Sequence, residues 1–113
     1  MLNRIVLIGR LTKDPDLRYT ASGAAICRFA LAVDRPYRKD GDKQTDFINC
    51  IAWRQLAEIV ANHLTKGQLA AVDGSLEIQT YETDSGERRQ AAQVVAESVR
   101  FLSPRTSKEE PSF

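Results

Sequence analysis

The sequence predicts an all-β fold: a small five-stranded barrel with one helix between its third and fourth strands and a long final hairpin. Three observations carry this expectation. Apolar runs with period-two alternation recur along the chain and are separated by turn residues. One stretch, from Leu56 to Leu64, has helical spacing instead. Two long late runs are joined by Thr83-Asp84-Ser85-Gly86, where Asp, Ser and Gly supply the chemistry of a tight turn. The chain has 113 residues, 42% of them hydrophobic and 27% charged, which suits one globular domain with a real core.

Each element follows in order. The first strand covers residues 4–11 and stops at Lys13-Asp14-Pro15-Asp16. The second covers 24–33, introduced by Ala21-Ser22-Gly23, and the third covers 46–53, after the polar loop Arg38-Lys39-Asp40-Gly41-Asp42. Leu56, Ile59, Val60 and Leu64 then repeat at helical spacing, and Lys66-Gly67 supplies a helix stop. The last two strands cover 68–81 and 88–102; Gly74 within the first of them marks a bulge or sharp bend. Three strands, a helix and two strands is the element order of an OB-fold barrel. Residues 1–103 form the folded unit, and residues 104–113, polar and without periodicity, read as a short disordered tail.

Chemistry on a substrate has little support. Cys27 and Cys50 each sit inside an apolar run, at a spacing that fits no zinc or redox motif, and read as buried reduced thiols. His63 is the only histidine and reads as a helix-surface or boundary residue. No glycine motif for phosphate is present. The expectation is a protein that is not an enzyme and uses neither cofactor nor metal. The opening residues are apolar too briefly for a signal peptide or a membrane span, so no membrane association is expected and the location is cytoplasmic.

The third strand is the most informative. Alternation puts Phe47, Asn49, Ile51 and Trp53 on one face and Ile48, Cys50 and Ala52 on the other. The second set is compact and suits the barrel interior, which leaves Phe47 and Trp53 outside, roughly 20 Å apart along the strand. Outer aromatics fit two readings: a protein interface, or a platform on which bases stack. Tyr37 lies among cations in Asp34-Arg35-Pro36-Tyr37-Arg38-Lys39, a combination that suits stacking plus phosphate contact. Tyr81 shares the polar face of its strand with Glu77 and Gln79, while Leu76 and Ile78 on the opposite face should point inward. Arg4, Arg10, Arg18, Arg28, Arg35, Arg38, Lys39 and Arg54 are scattered around these positions. Together with the aromatics they would make a groove that tracks a nucleic-acid backbone. The net charge is only +1, so affinity would need a non-electrostatic contribution.

At these residues the sequence resembles the bacterial-type single-stranded DNA-binding (SSB) protein family. The resemblance runs from Asn3 to about Leu102. It rests on Asn3-Arg4-Ile5-Val6-Leu7-Ile8-Gly9-Arg10-Leu11, on Asp14-Pro15-Asp16-Leu17-Arg18-Tyr19, and on the block from Asp46 through Trp53 to Glu58. Leu64-Thr65-Lys66-Gly67 and Val72-Asp73-Gly74-Ser75-Leu76 add to it. The resemblance implies a nucleoid-associated protein that coats single strands in replication, recombination or repair. It implies four stacking positions at Tyr37, Phe47, Trp53 and Tyr81, and a homotetramer. The phosphate contacts expected beside them are Arg4, Arg10, Arg18, Arg35, Arg38, Lys39 and Arg54. Two departures stand out. The strand leading to Tyr81 carries Glu77 and Gln79 where members often carry basic residues. The tail is short and ends Glu109-Glu110-Pro111-Ser112-Phe113, with a serine between proline and phenylalanine. Glu109, Glu110, Pro111 and Phe113 would form a degenerate docking peptide for DNA-processing enzymes, or else simply a frayed end. An OB-type module whose aromatics make a protein interface, and an OB-fold RNA binder, remain as alternatives.

Overall fold

The computed structural model describes residues 1–36 and 44–103. Its elements are β1 (Ile5–Leu11), β2 (Asp16–Tyr19), β3 (Ala25–Asp34), β4 (Thr45–Trp53), α1 (Arg54–His63), β5 (Leu69–Glu82) and β6 (Arg88–Phe101). The strands follow the order β1-β5-β6-β4-β3-β2, and β1 also pairs with β3. Five strands therefore close into a ring, β1-β5-β6-β4-β3, with β2 hung on the outer edge of β3. This is the expected OB-fold barrel. The expected helix residues form α1, but it follows the fourth strand because β2 was not anticipated. The four-residue strand lies in the stretch after Pro15, where turn residues mask its pattern, and among the described residues it pairs with β3 alone.

The barrel closes through few bonds. β4 and β6 run parallel and pair only at Cys50 with Val94 and at Ile51 with Val95. The core is apolar, built on Leu11, Cys27, Phe29, Leu31, Cys50, Ala52, Val72 and Val94, and α1 covers it with Ala57 and Val60. Leu64, just past the helix, joins the same cluster, while Ile59 of the predicted stripe stays half-exposed. Ile51 departs from its expected environment. Alternation puts it on the outer face, yet it is buried, between Arg28 of β3 and Val95 of β6.

Gly74 is the predicted irregularity. The β5–β6 ladder shifts register between Asp73 and Gly74, so that Glu97 is left over on β6. A Cβ at Gly74 would collide with the Val95 carbonyl oxygen, so only glycine fits where the strands approach here. Beyond the bulge the hairpin leaves the barrel as an arm, exposed on both faces from Leu76. Leu76 and Ile78 are thus 40% and 53% exposed rather than inward-facing: the alternation holds, but the barrel has ended beneath them. Asn3 anchors the base of the arm, its amide donating to the Leu76 carbonyl at 2.8 Å and accepting from the Leu76 N–H at 2.9 Å. Among the described residues, no helix is long and apolar enough to cross a membrane.

Candidate nucleic-acid interface

Strand register builds the site. On the outer face of β3–β4, Trp53 lies opposite Ile26 and Phe47 opposite Ala32, with Ile51–Arg28 and Asn49–Ala30 between them. Phe47 is 71% exposed and Trp53 42%. The two rings stand at the ends of one strand face, as the sequence predicts, separated by Arg28, Ala30 and Asn49 and by the buried Ile51.

Arginines flank both ends. Arg10 of β1 pairs with Ala32, which pairs with Phe47. Arg18 of β2 pairs with Ile26, which pairs with Trp53. Each aromatic therefore has a guanidinium two strands away on the same outer face. Arg10 donates to the Gly67 carbonyl at 3.2 Å, and Arg18 contacts Asp16 at 3.1 Å, both at the surface where such bonds exchange readily with other partners. Arg54 directly follows Trp53 and has no side-chain partner among the described residues. Its φ of +57° places a non-glycine residue in the left-handed region at the strand-to-helix corner.

Two of the predicted arginines are already engaged. Arg4 holds Asp73 at 2.8 Å through Nε and Glu97 at 2.9 Å through Nη1, on the outer face of β1–β5–β6. Arg35 grips Asp46 with two bonds, 2.9 and 3.0 Å, and donates to Gln44 at 3.0 Å. This fork joins the ends of β3 and β4. Its hydrogen bonds hold the Asp46 carboxyl below its ordinary value. Tyr37, Arg38 and Lys39 lie outside the described residues, as do Glu109, Glu110, Pro111 and Phe113.

Tyr81 sits near the tip of the arm, 49% exposed, directly opposite Arg89. The strand that carries Tyr81 offers Glu77 and Gln79 rather than cations. The arm instead supplies them from its partner strand, as Arg88 and Arg89. Counting back across the Asp84–Gly86 turn would have found this pairing. Tyr19 is a further exposed aromatic, but register puts it on the side of buried Ala25, and its hydroxyl donates to Glu58 at 3.3 Å. The charge on Glu58 raises the Tyr19 pKa.

Other chemistry-bearing groups lie apart from this face. Cys27 and Cys50 are buried and unlinked, their thiols pushed up to about 11 and about 12 by desolvation. His63 Nδ1 lies 2.8 Å from the Ile59 carbonyl oxygen, and its ring stacks on Phe101 at 5.5 Å between centroids. Among the described residues, no three metal-ligating side chains gather.

The fold and this face define an OB-fold barrel with an outward aromatic strand pair. More narrowly, the chain belongs to the single-strand binding protein family, whose model matches residues 2–102. It is 54% identical to a single-stranded DNA-binding protein of Halalkalibacterium halodurans, over 95% of this chain and 64% of that protein. It is 56% identical to single-stranded DNA-binding protein A of Bacillus subtilis, over 93% of this chain and 62% of that protein. The chain thus spans less than two thirds of the length of these two relatives.

Proposed function

We infer that this chain binds single-stranded DNA with little regard to sequence and does no chemistry on it. The observation that carries the reading is the β3–β4 outer face, where two exposed rings each have an arginine two strands away. Rings stack on any base, and the arginines meet the phosphates between. Trp53 and Phe47 are the central stacking residues. Tyr81 extends the path onto the arm beside Arg89, and Tyr37 with Arg38 and Lys39 belongs to it by sequence. Arg10, Arg18 and Arg54 are the foremost phosphate contacts, whereas Arg4 and Arg35 are tied to carboxylates and serve the scaffold first. The names of the relatives support this reading.

In this proposal the protein is a cytoplasmic, nucleoid-associated homotetramer that coats strands exposed in replication, recombination or repair. Self-assembly is supported by exposed apolar side chains beyond the two rings. Val6 and Ile8 are exposed on β1, which pairs with β3 only at its end, and Leu76 and Ile78 are exposed on the arm. Glu109, Glu110, Pro111 and Phe113 have the composition of a peptide that docks into basic, apolar pockets of DNA-processing enzymes. The decisive test is titration of Trp53 fluorescence with oligo-dT at low salt. Near-stoichiometric quenching is expected; the absence of both quenching and a mobility shift would end the reading.

A further inference from the structure

A cleft of about 330 Å³ opens on the outer face between Phe47 and Trp53; its lining includes Lys13, Asp16, Arg28, Ala30, Asn49 and Gln93, and it reaches down to core residues Phe29 and Cys50. It lies where β6 stands apart from β4, just before their two paired positions. Register explains its shape. Ala30, opposite Asn49, is a small floor; Arg28, opposite Asp16 on one side and Ile51 on the other, forms a wall. Gln93 stands opposite Glu77 and donates to it at 2.9 Å, which fixes its amide at the far side. Lys13, Arg28 and Asn49 have no side-chain partner among the described residues. Asp16 meets only Arg18, and a carboxylate keeps further acceptor sites.

The rim of this cleft differs in kind from the two rings at the ends of the face. It offers hydrogen-bond groups at the edge of a flat apolar floor, so it suits the edge of a base better than its π-face. Guanine fits the set best. Its O6 and N7 are adjacent acceptors for a guanidinium fork. Its ring N–H and exocyclic amine are donors, matched by Asp16, Asn49 Oδ1 and Gln93 Oε1. Thymine offers no second donor, and adenine and cytosine lack the O6/N7 pair.

We propose that this cleft reads the edge of one base in each bound segment and prefers guanine, with Arg28 as the discriminating residue. The proposal rests on the DNA-binding reading above: the strand is held by Trp53 and Phe47, and the base between them drops into the cleft. Binding stays sequence-tolerant overall, with one position biased.

The test is Trp53 fluorescence titration of the full chain with oligo-dT in which one central thymine is replaced by guanine, adenine or cytosine. The guanine oligomer should bind about fivefold tighter than the others, the low end for a bidentate arginine contact. Substituting 7-deazaguanine, which lacks the N7 acceptor, should remove the gain. Arg28→Lys keeps the charge and loses the fork, so it should abolish the preference while oligo-dT affinity and its salt dependence persist. Equal affinities for all four oligomers would overturn the proposal. So would a guanine preference that survives Arg28→Lys, or an Arg28→Ala variant that weakens every oligomer by one factor, since Arg28 would then meet phosphate. If oligo-dT itself fails to bind, the parent reading falls and this one with it; a protein that binds oligo-dT without base preference sinks only this one.

Discussion

Trp53 and Phe47 are attached to the core through their backbone and contribute their rings to the surface, so binding and folding can be separated at these residues. Replacing either by Ala should weaken oligo-dT binding by about 1–3 kcal/mol, the worth of one stacked base. The thermal midpoint should stay within a few degrees of the parent, because surface truncation away from packed groups costs little. Binding is read by mobility shift for the Trp53 variant and by tryptophan quenching for the Phe47 variant. A large drop in midpoint would mean the ring is a packing residue, and unchanged affinity would remove it from the site. Arg54 offers a sharper separation. Its left-handed φ turns the chain from β4 into α1 immediately after Trp53, and for a side-chain-bearing residue this conformation costs roughly 1–2 kcal/mol. Arg54→Gly removes that strain and the guanidinium together. The variant should melt no lower than the parent by calorimetry and yet bind oligo-dT more weakly, with a shallower salt slope. Lower stability would show that the Arg54 side chain packs rather than projects to a phosphate.

The Arg35–Asp46 fork acts on a pair of strands. It ties the ends of β3 and β4 beside the Arg35 N–H···O=C Gln44 bond of 2.8 Å, at the two sides of the segment that carries Tyr37. The Asp46 pKa lies below its ordinary 3.8, chiefly because Arg35 hydrogen-bonds the ionised form. A depressed carboxylate stabilises the fold above its unfolded value and loses that contribution as pH falls through the folded value. Asp46→Asn should therefore melt below the parent near neutral pH, and the gap should close below about pH 4, the unfolded carboxylate value. A gap that persists in acid would mean the asparagine disturbs packing rather than charge. At this scale the sequence was legible wherever alternation had a barrel beneath it. Strands 46–53 and 24–33 and the helix were readable because their apolar sets repeat at one period. β2 was not, since four residues after Pro15 are too few to show a period. The inward assignment of Leu76 and Ile78 failed for a different reason: their pattern is genuine, but alternation specifies a face and says nothing about whether the barrel extends that far. Gly74 was the one visible warning of where it stops.

Which side chains share a surface depends on the closed ring, and no local pattern could reveal it. Phe47 and Trp53 were visible as a pair because they lie on one strand. That Arg10 stands across from one and Arg18 across from the other follows only once β1 and β2 are both paired to β3. Arg4 likewise meets Asp73 and Glu97 only once β5 and β6 are in place, whereas Arg35 finds Asp46 across the β3–β4 pair alone. The ring also puts exposed Val6 and Ile8 on the outer face of β1, on the side of Arg10, at positions that pair with β5 and not with β3. An open strand edge beside exposed aliphatic side chains is a surface that proteins cover by association. Val6→Glu should therefore lower the solution mass, measured by light scattering, from that of the proposed tetramer toward fewer chains. Because Val6 pairs with Asp73 of β5 and not with the strands that carry or flank Trp53, a short oligomer that occupies one barrel should still quench the tryptophan with nearly the parent's affinity. A long oligomer should lose far more, since linked grooves gain from effective concentration and a dissociated chain has only one. An unchanged mass would show that association uses another face. Equal losses on short and long oligomers would show that Val6 affects the barrel itself, and the two lengths compared on one variant tell these apart.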